Sequence, residues 1–190
     1  MLEFRHIYSH KNYYHFNAYI GERWHLHGPT GAGKTTFFNS IAGLRPFEKG
    51  DIIWHEKLLN FLPIKERPIS YLMQDCQVFP HLCVKTHLKL MPDKPYAQFF
   101  FDKYLRHTQN QLGQNLSGGE KHILGLIRIL SEKRSIILLD EAFVGMDENL
   151  KKDIMKDLYD HQQAFPCVIL FTNHENDMDK FMTHRYCLRT

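Results

Sequence analysis

No apolar run in these 190 residues approaches the roughly 20 that a helix needs to cross a bilayer, so the chain is not expected to span a membrane itself. The N-terminus, Met1-Leu2-Glu3-Phe4-Arg5-His6, lacks the apolar core of a signal peptide, which points to a cytoplasmic address. None of the four cysteines falls in a C-x-x-C pair, and in that compartment Cys76, Cys83, Cys167 and Cys187 read as reduced thiols. An excess of one charge is missing too: the formal net charge is +3 and the lysines are scattered, which argues against a nucleic-acid partner. Internal repeats, low-complexity tracts and linkers are absent. The length therefore fits one domain over residues 1–190, with an insertion inside it.

Glycine, by contrast, is concentrated where it counts. Gly28-Pro29-Thr30-Gly31-Ala32-Gly33-Lys34-Thr35 has the form G-x-x-x-x-G-K-[ST], and Thr36 continues it into a helix ending near Ala42. The strand-like run Arg23 to His27 precedes it, giving the strand, loop and helix that this motif requires. Residues without Cβ atoms let successive backbone N–H groups turn toward a polyphosphate, and the helix start adds partial positive charge. Lys34 is placed to neutralise β and γ oxygens, and the Thr35 hydroxyl to ligate Mg²⁺.

Around this loop the chain alternates strand and helix patterns. Residues 2 to 20 read as two antiparallel strands turning at Ser9-His10-Lys11-Asn12. Tyr8 is the first choice to stack on a base, with Tyr13 or Tyr14 as the fallback. His25 and His27 alternate on the strand entering the loop and share a face, where burial requires partners for them; no third metal ligand accompanies the pair. Gly43 and Pro46 close the helix behind the loop. Asp51 to Trp54 reads as an edge strand and Ile69 to Met73 as a core strand that delivers Gln74. Residues 77 to 115, broken by Pro80, Pro92 and Pro95, read as a small helical insertion with one helix from Tyr96 to His107. Phe99, Phe100 and Phe101 cannot all face one core, so at least one meets solvent or a partner. Ser117 is placed to cap a helix striped by Ile123, Leu124, Ile127 and Leu130. Ile136 to Leu139 is a fully apolar strand ending in Asp140 and Glu141, as a buried parallel strand presenting acids at its C-terminal end would be. A helix over Asn149 to Gln163, a buried strand over Val168 to Thr172 and a last short strand over Arg185 to Leu188 complete an α/β unit.

In this order the elements resemble the nucleotide-binding subunit of ABC transporters over nearly the whole chain. Gly28 to Thr35 matches the Walker A loop, Gln74 the Q-loop, and Leu116-Ser117-Gly118-Gly119-Glu120 the signature LSGGQ with Glu in the last place. Ile136 to Glu141 matches the Walker B strand, Asp147 the D-loop and His174 the switch histidine. The Q-loop segment Tyr71 to Asp75, followed by Val78 to Leu82, is similar to that of small-solute importers, most of all the thiamine type. Ala142 stands where many relatives have Pro, and Thr172-Asn173-His174-Glu175 departs from Thr-His-Asp. The insertion is shorter than usual for the family, and no C-terminal regulatory domain is expected.

The resemblance implies a P-loop NTPase with a mainly parallel core sheet, an N-terminal antiparallel β subdomain and a short helical insertion. It implies ATP and Mg²⁺ as cofactors, with Thr35, Gln74 and Asp140 toward the metal. Glu141 would activate water, Gln74 would sense metal and water, and His174 and Lys34 would contact the γ-phosphate. Ser117, Gly118, Gly119 and Asp147 would belong to the site of a second copy, in a head-to-tail homodimer. A separate membrane-spanning permease would dock on the insertion, placing the protein on the cytoplasmic face of a bacterial inner membrane, with import the expected direction. A non-transport ATPase of the same family is the alternative, but it would usually carry coiled coils, paired domains or basic arms. A binding-only module is disfavoured by the intact Lys34, Asp140, Glu141 and His174. A GTPase is disfavoured by the lack of an N-K-x-D motif.

Overall fold

A computed structural model describes residues 1–9, 12–76, 78–172 and 180–188. The chain opens with β1 (Leu2–Ser9) and β2 (Asn12–Ala18), then enters β3 (Arg23–His27) and α1 (Lys34–Ala42). Next come β4 (Lys49–Trp54), β5 (Lys57–Leu58) and β6 (Ile69–Leu72), followed by α2 (Val84–Lys89), α3 (Lys94–Tyr104) and α4 (Gly118–Ser131). The last elements are β7 (Ile136–Asp140), α5 (Glu148–Ala164), β8 (Val168–Thr172) and β9 (His184–Cys187). None of the described helices is long and apolar enough to cross a membrane.

The strands form two sheets. One is antiparallel in the order β2-β1-β4-β5, and the other, β6-β7-β8-β3-β9, is parallel throughout. One expectation needs correction. Asp51 to Trp54 is not an edge, because β4 lies between β1 and the two-residue β5. Ile69 to Leu72 does belong to the parallel core sheet, at its edge, where β6 pairs with β7.

β7 and β8 lie inside the parallel sheet and are buried at every position, as strands covered on both faces must be. Their alternate residues feed two cores. Ile136, Leu138, Val168 and Leu170 pack with Phe37, Phe38 and Ile41 of α1 and with the inner face of β1 and β2. Ile137, Leu139, Ile169 and Phe171 pack with α4, α5 and the insertion. A fully buried Phe or Ile contributes about 1.5–3 kcal/mol, so α1 is fixed mainly by those three side chains. Gly43 ends α1 in the left-handed conformation at φ 85°, and Arg67 donates to the terminal carbonyls of Ile41 (2.6 Å) and Ser40 (3.2 Å).

The insertion is more intricate than one helix. α2 lies between Pro80 and Pro92, and α3 ends at Tyr104, with a 3-10 turn over Arg106–Thr108 where helix had been expected to continue. Of the three phenylalanines, Phe100 and Phe101 are buried while Phe99 is 64% exposed. Polar bonds tie α3 to α5: Lys103 Nζ donates to both oxygens of Asp157 (2.7 and 2.8 Å), the Tyr104 hydroxyl donates to Asp157, and the Tyr96 hydroxyl bonds His161 Nδ1. Burial pushes His161 down to about 4, which keeps this ring neutral in its apolar surroundings.

Candidate functional site

Because the strands of the larger sheet are parallel, whatever follows each one emerges at the same edge. The loop after β3, Gln74 beyond β6, and Asp140 and Glu141 at the end of β7 thereby converge. Thr30, Gly31, Gly33, Lys34, Thr35 and Thr36 line an open cleft of about 430 Å³ together with Gln74 and Glu141. Gly31 and Gly33 stand at φ 83° and 89°, the left-handed region in which a side chain would be strained. Gly28 and Pro29 offer their carbonyls to Lys34 Nζ, at 2.7 and 3.1 Å. Desolvation holds the Lys34 ammonium below its ordinary value, while the charges of Glu141 and Asp140 pull it back up.

Glu141 sits at φ 52°, a conformation that costs a residue with a Cβ about 1–2 kcal/mol. Its backbone N–H donates to the Thr172 carbonyl (3.1 Å), which fixes the turn at the strand end. The side chain consequently leaves the strand direction and meets Gln74, whose Nε2 donates to Glu141 Oε2 at 2.8 Å. Two residues distant in sequence are thus joined across the mouth of the cleft.

Asp140 is only 1% exposed and stands behind that cleft rather than in its lining. Its Oδ2 accepts from the Tyr71 hydroxyl (3.1 Å) and its Oδ1 from the Thr172 hydroxyl. Burial, then the adjacent carboxylate, push the Tyr71 phenol upward, so it remains a donor. Neither hydroxyl was singled out from the sequence. The available signal was Thr172, a polar residue ending an apolar strand in register with Asp140.

The cleft-lining side chains offer hydroxyl, amide and carboxylate oxygens beside one ammonium. Such hard donors suit Mg²⁺, which takes few protein ligands and completes its shell with phosphates and water. Among the described residues no group of three His, Cys, Asp or Glu is placed to hold a metal alone.

Other expected site residues lie elsewhere. Ser117, Gly118 and Gly119 line no part of this cleft. Ser117 caps α4, its N–H donating to Glu120 Oε2 (2.8 Å) and its Oγ accepting from the Glu120 N–H (3.3 Å). Asp147 caps α5, accepting from the N–H groups of Asn149 and Leu150, each at 3.0 Å. Tyr8 packs on Tyr13 with ring centroids 4.7 Å apart and is not part of the cleft lining. Tyr14, one of the fallbacks for base stacking, is fully buried against Phe37 at 3.7 Å, which removes it from consideration. His25 and His27 do share a face, their rings 5.6 Å apart. His174 lies outside the described residues.

A strand, glycine loop and helix, with carboxylates arriving from a neighbouring parallel strand, define a P-loop nucleotide-binding fold. The chain belongs to the ABC transporter family, whose pattern matches residues 12–144. It is 29% identical over 167 residues to the Fe(3+) ions import ATP-binding protein of Fusobacterium nucleatum, covering 83% of this chain and 45% of that protein. Identity to the thiamine import ATP-binding protein of Ruegeria sp. is 29%, over 79% of this chain and 69% of that one. The lipopolysaccharide export system ATP-binding protein of Escherichia coli K12 is 33% identical, over 81% and 69%. The chain therefore spans less than half of the iron-import relative. In fold it resembles a dimeric ATP-binding cassette bound to ADP and Pi, with a TM-score of 0.84 at 20% identity, covering 100% of this chain and 94% of that one.

Proposed function

We propose that the chain is the ATP-binding subunit of a transporter, hydrolysing Mg-ATP between two copies arranged head to tail. Residues 1–190 act as one ATPase unit, peripheral on the cytoplasmic face of a membrane, and power a separate permease. Importers and an exporter both stand among the relatives. We take import as the direction, on the likeness of the Gln74 segment to those of importers.

The observation that carries the reading is the Gln74–Glu141 hydrogen bond at the mouth of the cleft lined by the phosphate loop. In-line transfer of a γ-phosphoryl group to water needs positioning and charge neutralisation more than covalent chemistry. Backbone N–H groups of Gly31 and of residues 33–35, together with the Lys34 ammonium, would hold the phosphates, with Lys34 exchanging its two loop carbonyls for phosphate oxygens. Mg²⁺, when bound, would neutralise charge on the transferring oxygens, with Thr35 and Gln74 nearest to it. Asp140 would act from behind through its charge, two of a carboxylate's roughly four lone-pair sites being already used. Glu141 would take a proton from the water or orient it, and Gln74 would fix that carboxylate. His174 would contact the γ-phosphate.

Ser117, Gly118, Gly119 and Asp147, standing apart from the chain's own cleft, would complete the partner copy's site. Exposed Phe79, Leu90 and Phe99 on the insertion would offer the permease an apolar contact.

Glu141→Gln tests the chemistry: ATP binding should persist while steady-state phosphate release falls by about a hundredfold or more. Turnover at the wild-type rate would overturn the role assigned to this carboxylate.

A further inference from the structure

Ala32 belongs to the phosphate loop yet is only 2% exposed and lines no part of the cleft, whereas its neighbours Gly31 and Gly33 both do. Asn12, the first residue of β2 and itself 8% exposed, reaches this point from the antiparallel sheet. Its Nδ2 donates to the Ala32 carbonyl oxygen at 2.8 Å. In a planar trans peptide the C=O and the following N–H point in opposite directions. A carbonyl drawn toward Asn12 therefore turns the Gly33 N–H the other way, on a residue that lines the cleft. Gly33 is also the N-cap residue of α1, and its N–H donates to no acceptor among the described residues.

The anchor is tied into the sheet and onto α1. Asn12 pairs with Ser9 at the end of the β1–β2 ladder. Two residues on, Tyr14 lies flat on Phe37 of α1, with ring planes 1° apart. β2 thus grips both the loop and the helix that follows it, through one hydrogen bond and one stacked pair.

We infer that Asn12 is a positioning residue for the polyphosphate: by holding the Ala32 peptide it presents the Gly33 N–H to the phosphates. The inference rests on the reading of the loop as a phosphate cradle. Asn12 touches neither substrate nor reacting atoms, so its effect falls on binding rather than on the chemical step. Left-handed Gly33 has wide backbone freedom, and without the anchor this peptide can rotate, losing a donor that was already oriented.

The test uses two variants of the full chain, with ATP and inorganic tripolyphosphate as probes. Asn12→Asp is isosteric but opposes an acceptor to the Ala32 carbonyl, and Asn12→Ala removes the bond. The dissociation constants for both probes should rise about tenfold in Asn12→Asp, and about three- to tenfold in Asn12→Ala. At saturating ATP, kcat should stay within about twofold of wild type, which separates positioning from general loss of structure. Should Asn12→Asp fail to fold, Asn12→Ala is held to the same criteria. Affinity within about twofold of wild type, or a fall in kcat with KM unchanged, overturns the assignment of Asn12 alone. A wild-type chain that binds neither probe overturns the phosphate-cradle reading and this inference with it.

Discussion

The helix beginning at Lys34 opens on a turn with no side-chain cap and no acid in its first turn, whereas the helix beginning at Gly118 carries a complete capping box and Glu120. Every helix start leaves about four N–H donors without intrahelical partners, together with a partial positive charge. α1 keeps that potential open toward the cleft. α4 spends part of it internally: Ser117 and Glu120 satisfy one another, and His107 Nε2 lies 3.0 Å from Glu120. An uncapped start is costly unless something else supplies the acceptors, so α1 is built for a ligand and α4 for its own stability first. The glycines differ in the same sense. Gly33 is needed for its φ of 89°, while Gly119 is needed for space, since a Cβ there would come within 2.9 Å of the Gly145 carbonyl oxygen.

The sharpest way to break the contrast is at the uncapped end. Lys34→Ala removes the cation proposed to pair with phosphate and leaves the Gly28 and Pro29 carbonyls without their donor. A hydrogen bond involving a charged group contributes about 1.5–3 kcal/mol, so ATP affinity should fall about a hundredfold by calorimetric titration. Unchanged affinity would mean that α1 does not receive the phosphates.

Gly119→Ala probes the packed end. In an open helix, alanine for glycine stabilises by about 1 kcal/mol. Here the new methyl meets backbone, which cannot rotate away, so overpacking should win and thermal unfolding should show a loss of about 1–2 kcal/mol. A stabilised variant would show that α4 and the Gly145 turn are free to separate.

The same contrast explains how far the sequence could be read. The phosphate loop, the acidic end of β7 and the Ser117 cap are local: each is complete within a few residues, and spacing alone betrays it. What stayed hidden depends on contacts between distant segments. α2 buries only Val84, His87 and Leu88 in one short stretch, too little for a period to show. Tyr14 looked as available as Tyr13, because only the packing of Phe37 decides which face of β2 is covered. The left-handed backbone of Glu141, its bond to Gln74, and the hydroxyls of Tyr71 and Thr172 on Asp140 all require the parallel register to exist before they can form. The interior position of β3, between β8 and β9, and the edge position of β6 are likewise consequences of crossovers, which hydropathy does not encode.

The smallest effect expected is the most specific to α4. Glu120→Gln keeps the geometry of the capping box, since a glutamine amide can serve at that position, but removes the charge. The charge contributes through the helix dipole, about 0.3–1 kcal/mol at most; the pair with His107, which is 67% exposed, adds little more because water and salt screen it. Stability at neutral pH should therefore fall by less than about 1 kcal/mol. Desolvation by burial raises the Glu120 carboxyl, but its bonds from the Ser117 N–H and hydroxyl, then from His107, outweigh that and hold it below the ordinary 4.5. A carboxylate with a depressed folded value stabilises fully above the unfolded value and loses that contribution as the pH falls through the folded one. The difference between wild type and Glu120→Gln should therefore be constant from pH 8 to about 5, begin to shrink near the ordinary 4.5, and vanish once the pH has fallen below the depressed folded value, read from melting temperatures. A difference persisting undiminished at pH 3 would show that shape, not charge, is what Glu120 contributes. If α4 does meet a second copy's phosphate, the same neutral variant should bind ATP in the dimer more tightly, by up to about fivefold, because a negative charge has left the approach to that helix start. Weaker binding would mean that α4 needs its carboxylate there, and that the two helix starts are more alike than their caps suggest.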